Sequence, residues 1–273
     1  MKKRFLILFS FLIPGIAFSQ STESSENAAF WGVTVGLRLQ SFQDQLVTQV
    51  RYGGPQFYFM INKEKFKAKT LRNFALEGSL GSLKSDAFEP VKSQSQFLQP
   101  SVDSYWNEIA YSYLFKLKEG EKSEFFFGPS ISHVLFLRIS PRWDNSQFNY
   151  EFTGNLQAET RFRRGFELFG KPIIGNLGIK FPLIGYISRP SFSGVPDFLD
   201  HERDFLASIF VENSLSWLGN FPRIQVDNFI EFPIASGNKI QVIYNWEYYT
   251  FQVPSKVQTA AHTVGINFLM RTR

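Results

Sequence analysis

The chain has 273 residues, no cysteine, a formal net charge of +5, and aromatic side chains at 17% of positions, 32 of them phenylalanine. Without cysteine no disulfide framework can hold the fold, and a mean hydropathy of -0.14 with no later run of 18 apolar residues excludes a helical membrane protein. Three basic residues, Lys2, Lys3 and Arg4, fall in the first nineteen positions; the remainder carries 26 basic against 24 acidic side chains, so the charge does not point to nucleic acid.

Residues 1–19 read as a signal peptide: a basic start, an apolar run from Phe5 to Ile16, and a small-residue exit at Ala17 and Ser19. The apolar run is too short for a spanning helix, which needs roughly 20 residues. A short periplasmic segment, 20–30, is expected next, and a barrel over 31–273. Candidate strands follow at 31–41, 50–62, 70–84, 103–118, 123–139, 147–163, 171–188, 223–234, 239–252 and 259–271. In the first, Trp31, Val33, Val35, Leu37 and Leu39 face away from Thr34, Arg38 and Gln40. In the fourth, Ile109, Tyr111, Tyr113 and Phe115 oppose Glu108, Ala110, Ser112 and Lys116.

Segment 148–163 is the most informative. One parity reads Phe148, Tyr150, Phe152, Leu156, Phe162; the other reads Asn149, Glu151, Thr153, Asn155, Gln157, Glu159, Arg161, Arg163. Successive strand side chains point to opposite faces, so this strand has one apolar and one wholly polar side. At about 3.3 Å per residue it runs to roughly 50 Å, far beyond the usual globular strand. The later strands repeat the pattern, with Tyr244, Trp246 and Tyr248 opposite Asn245 and Glu247, and Val264, Ile266 and Phe268 opposite Thr263 and Asn267. Segment 204–216 is ambiguous: Phe205, Leu206, Ile209 and Phe210 have helical spacing, while Phe205, Ala207, Ile209 and Val211 fit a strand. Ten strands is the favoured count because bacterial single-chain barrels have an even number, with twelve as the alternative. The connections 85–102 and 189–222 are then long outer loops, and 235–238 is a short periplasmic turn.

Alternation on long strands, aromatic residues along the apolar faces and the N-terminal signal make the chain resemble the small outer-membrane β-barrel proteins of Gram-negative bacteria. Its abundance of Phe and Asn is most similar to those of the Bacteroidota. The resemblance implies an all-β, antiparallel up-and-down transmembrane barrel in the cell outer membrane. It also implies surrounding lipid and lipopolysaccharide, and other outer-membrane proteins as partners. The last residues, Met270 to Arg273, depart from the aromatic terminus common in such proteins, and Phe268 stands nearest to that role.

The polar parity supplies the expected lumen-facing residues Arg38, Glu108, Glu151, Glu159, Arg161, Arg163, Asp227, Glu231 and Glu247, joined by Glu77, Arg138 and Lys180. Charges of both signs in a narrow ring can pair across it, so a filled interior is the first expectation and a narrow polar channel the second. Of the histidines, His133 has the lipid-facing parity and His262 has no acid near it in sequence. His201 lies between Asp200 and Asp204 in an outer loop, and these three are the candidates for a surface hydrolase acting on lipid or peptide. No zinc-protease, nucleophile-elbow, phosphate-loop or dinucleotide pattern accompanies them, so no metal, cofactor or enzymatic activity is expected. The leading reading is a structural or accessory outer-membrane component or small pore; a soluble secreted β-protein that binds a ligand is the third.

Overall fold

The computed structural model describes residues 28–85, 100–140, 148–189, 213–234, 237–252 and 255–272. The signal segment 1–19 and the loop residues Asp200, His201 and Asp204 lie outside them. The strands are β1 (Ala29–Asp44), β2 (Tyr52–Lys67), β3 (Thr70–Ser85), β4 (Ser101–Gly120), β5 (Ser123–Ile139), β6 (Phe148–Leu168), β7 (Lys171–Ser188), β8 (Asn213–Trp217), β9 (Arg223–Pro233), β10 (Lys239–Phe251) and β11 (Val257–Thr272).

Every neighbouring pair is antiparallel, and the ring runs from β1 to β7, then through β9, β10 and β11 back to β1. Ten strands therefore form a closed wall, which leaves no free edge in the ring. The remaining strand, β8, settles part of the ambiguous segment: residues 213–217 are extended and pair with Ile184–Ser188 of β7. β9 occupies the same side of β7 lower down, from Ile174 to Lys180. β8 thus stacks above β9 in one wall position and adds no eleventh one. The stretch 204–212 lies outside the described residues.

The turns sort by length. Residues 68–69, 121–122 and 169–170 close three tight hairpins at the end that also holds the start of β1 and the finish of β11, while the longer connections gather at the other end. In the 169–170 turn Phe169 and Gly170 have φ of 50° and 72°, the paired positive values that let a two-residue hairpin match the strand twist. Glycine takes such a value freely; phenylalanine does so under strain. On the wall, Gly36 faces Gly265 across β1 and β11. A Cβ on Gly36 would collide with the Val264 carbonyl and the Gly265 Cα.

The two faces of the wall are inverted relative to a soluble barrel. Val35, Leu37 and Leu39 point outward with 56 to 59% of their surface exposed, whereas Thr34, Arg38 and Gln40 between them are buried. The same holds on β4, where Ile109, Tyr111 and Phe115 are exposed and Glu108 and Ser112 are not. Hydrophobic burial in water would place these groups the other way round, so the outer face is built for an apolar surrounding.

Candidate functional site in the barrel lumen

Inward-facing side chains from opposite walls meet in tiers. At the tight-turn end an apolar layer of Phe30, Phe66, Leu71, Leu114, Phe126 and Leu269 packs across the ring. Next comes a lower charged tier. Arg161 pairs with Glu159 at 3.0 Å and reaches Glu64 on β2 at 3.5 Å; Lys239 pairs with Glu231 at 2.7 Å, and Arg163 lies 3.5 Å from the same carboxylate.

The middle tier is a chain of alternating sign. Arg38 holds Glu247 at 2.6 Å, Arg223 holds the other Glu247 oxygen at 2.7 Å, and Arg223 crosses the lumen to Glu108 at 2.8 Å. Gln225 donates to Glu108 at 3.1 Å, and Gln157 donates to Gln225 at 3.2 Å. At the loop end Asp44 receives Arg138 at 3.0 Å and Arg189 at 2.7 Å, while Arg138 also holds Glu151 at 2.7 Å. Most of these side chains have lost nearly all contact with solvent, which costs several kcal/mol per ion unless partners are close and numerous. Paired charges on facing strands meet that condition.

Rings complete the solvation. The Arg38 guanidinium lies 3.9 Å from the centre of the Trp106 ring, that of Arg138 4.4 Å from Phe136, that of Arg163 4.5 Å from Phe66, and the Lys239 ammonium 4.4 Å from Phe30. Such faces attract cations, more strongly where water is excluded. Two voids flank the middle tier. One of about 20 Å³ touches Arg38, Glu77 and Glu247, and one of about 60 Å³ touches Asn62, Arg161 and Asn176. Each has room for water molecules but is far below the size of a small-molecule site.

Of the residues expected to face the lumen, Arg38, Glu108, Glu151, Glu159, Arg161, Arg163, Glu231 and Glu247 are buried in this network. Asp227 is less enclosed, with 24% of its side chain exposed, and pairs with Lys180 at 2.7 Å. Glu77 accepts a 2.6 Å hydrogen bond from Tyr58. Sequence parity missed Asp44, Glu64, Arg189, Arg223 and Lys239. Asp44, Glu64 and Arg189 fall just outside the strands expected at 31–41, 50–62 and 171–188, whereas Arg223 and Lys239 are the first residues of the strands expected at 223–234 and 239–252. Parity also missed the inward aromatic set, because aromatic residues had been assigned to the outer face. The pattern that reveals them is an aromatic two residues from a charge on the polar parity, as in Trp106 and Glu108 or Phe136 and Arg138.

The other described histidines sit outside the lumen. His133 Nδ1 lies 3.3 Å from the Tyr186 hydroxyl and His262 Nδ1 lies 2.9 Å from that of Tyr244, both exposed. Neither is joined to a carboxylate. Among the described residues no group of three or more His, Asp or Glu side chains is arranged to hold a metal ion.

No family model matches the chain, and no curated protein matches it. Among solved structures, the attachment invasion locus protein Ail of Yersinia pestis aligns with 9% identity over 90% of this chain and 99% of its own, at a TM-score of 0.34. The toluene transporter TbuX of Ralstonia pickettii aligns with 6% identity over 91% of this chain and 90% of its own, at 0.35. The corresponding values for the toluene transporter TodX of Pseudomonas putida are 6%, 90% and 90%, at 0.32. At these scores the likeness assigns nothing beyond what the barrel already displays.

Proposed function

We propose that this chain is an integral barrel of a Gram-negative outer membrane whose lumen is sealed by its own side chains, and that it works as a structural or accessory component rather than by steady passage of solute. The membrane reading is supported by the inverted faces, the even closed ring and the gathering of tight turns at one end, the arrangement of outer-membrane barrels. The tight-turn end is then periplasmic, and the lipid-facing belt meets phospholipid and lipopolysaccharide.

The observation that carries the sealed reading is the set of bridges between distant strands: Arg223 to Glu108, Arg138 to Asp44 and Arg161 to Glu64. An open pore keeps its charges on the wall and water between them; here they meet in the middle. The purified barrel, reconstituted in planar bilayers, is expected to give no steady conductance. Steady ohmic current from the parent protein, lost when the barrel is omitted, would overturn the sealed reading. Location is tested separately: heat-modifiable mobility and co-sedimentation with outer membranes are expected, and recovery in the soluble fraction without detergent would remove the membrane reading.

A further inference from the structure

At one position of the wall a strand leaves its ladder with both neighbours. β9 pairs with β10 as far as Arg223 opposite Tyr249, and Thr250 N still donates to the Pro222 carbonyl at 3.2 Å. Above that point the chain leaves the wall in a tight turn. Asn220 N and Phe221 N donate to the Trp217 carbonyl at 3.1 and 2.8 Å, and the Asn220 side chain bonds the Trp217 amide and the Leu215 carbonyl. β8 then rejoins the wall on β7 alone. On β7 the interruption faces Phe181, Pro182 and Leu183, which fall between the last β9 pair and the first β8 pair. Pro182 has no N–H to leave unpaired there.

β8 and the upper end of β10 therefore face each other without a ladder, and between them is a cavity of about 400 Å³. It is many times larger than the voids of the lumen and falls in the range of small-molecule sites, about 300 to 1,000 Å³. Ile187, Pro222 and Phe251 give it apolar walls, and Ser214, Thr250 and Gln252 give it hydroxyl and amide groups. Among the described residues no charged side chain lines it. The Arg189 guanidinium is held by Asp44, and that of Arg223, the residue after Pro222, by Glu108 and Glu247. An ionic guest would meet no counter-charge from these walls, which is costly wherever water is excluded. Leu215, Trp217 and Leu218 flank the cavity on the outside with half or more of their surface exposed.

We infer that the slot between β8 and β10 is a binding site for one small, uncharged, amphipathic molecule. The inference stands apart from the sealed lumen, because the slot lies in the wall at the loop end and needs no passage through the ring.

The test uses the full barrel in detergent and the uncharged fluorescent probe N-phenyl-1-naphthylamine. Saturable enhancement at about one probe per barrel is expected, with Ser214→Trp weakening it by about tenfold or more by filling the cavity. The chain has no cysteine, so Ser214→Cys and Leu215→Cys each place a single thiol, one lining the slot and one pointing outward on the same strand. The probe is expected to slow alkylation of the first and leave the second unchanged. Should Ser214→Trp fail to fold, the thiol pair decides alone. Enhancement no greater than that of detergent, or equal alkylation of both thiols with and without probe, would overturn the site.

Discussion

Two parts of the wall behave differently. From β3 to β6 the strands pair along nearly their whole length, with a register shift between Lys116 and Lys118 and a lapse at Tyr113 and Leu114 opposite Gly128 and Pro129. Behind this half, the inner face meets bridges from the opposite strands, as Glu108 meets Arg223 and Arg138 meets Asp44. From β7 to β10 one wall position is divided between β9 and β8, and a cavity of about 400 Å³ lies at the division. Continuous pairing fixes the height of every inward side chain, so long charged groups can be placed opposite one another. Where pairing stops, that placement is lost and space opens.

Arg223 joins the two halves and gives the largest expected effect. Replacing it by leucine leaves Glu108 and Glu247 facing each other in the buried lumen and is expected to destabilise the barrel by about 3 to 5 kcal/mol. Urea titration followed by the gel shift of the unheated protein reads this, and an unchanged midpoint would show that the middle tier is not holding the walls together.

Charges on the outer face sharpen the contrast. Leu156→Arg in the continuous half is expected to cost roughly 2 to 4 kcal/mol, as for arginine near the bilayer midplane. Leu215→Arg on β8, whose side chain is 72% exposed at the loop end, is expected to cost about 0 to 1 kcal/mol, as for a site near the interface. Equal penalties in refolding into lipid vesicles would place both halves at the same depth and break the comparison. The inner neighbour Gln157 is a poor contrast for Leu156. It faces the lumen but is buried and bonded to Ser130 and Gln225, so arginine there meets a packed interior.

Hydrogen exchange compares the backbones directly. Amides of residues 213–217 are expected to open with a free energy about 2 kcal/mol or more below those of residues 130–136, because β8 is short and paired on one side. Similar protection would mean that β8 is held by more than its β7 ladder. The smallest effect lies in the tight turn at the foot of the continuous half. Phe169→Asn relieves a left-handed phenylalanine and is expected to stabilise by about 0.5 to 1 kcal/mol, visible as a raised urea midpoint; a lowered one would show that the exposed ring makes a contact worth more than the strain.

Much of this was written in the order of residues. Alternation along 148–163 is enough to set one apolar and one polar face, because side chains on a strand have no other choice. Even parity then favoured ten strands, and the ring closes with ten. The strand ends were less legible. The network residues Asp44, Glu64 and Arg189 lie just past the ends that alternation marks, and Arg223 and Lys239 open their strands; for all five only the partners they meet show the inward role.

What the sequence determined by itself was thus the wall, its principal strands and its two faces, set by local backbone geometry and a period of two, while closure at ten rather than twelve came from the pairing of β7 with β9. The tertiary structure decided the interior. Whether Arg223 meets Glu108 depends on the stagger accumulated around ten ladders, which no single segment encodes. The same holds for β8: five residues with ordinary strand character become the lip of a cavity because β7 already carries β9 below them, and because β10 ends before it can pair with them.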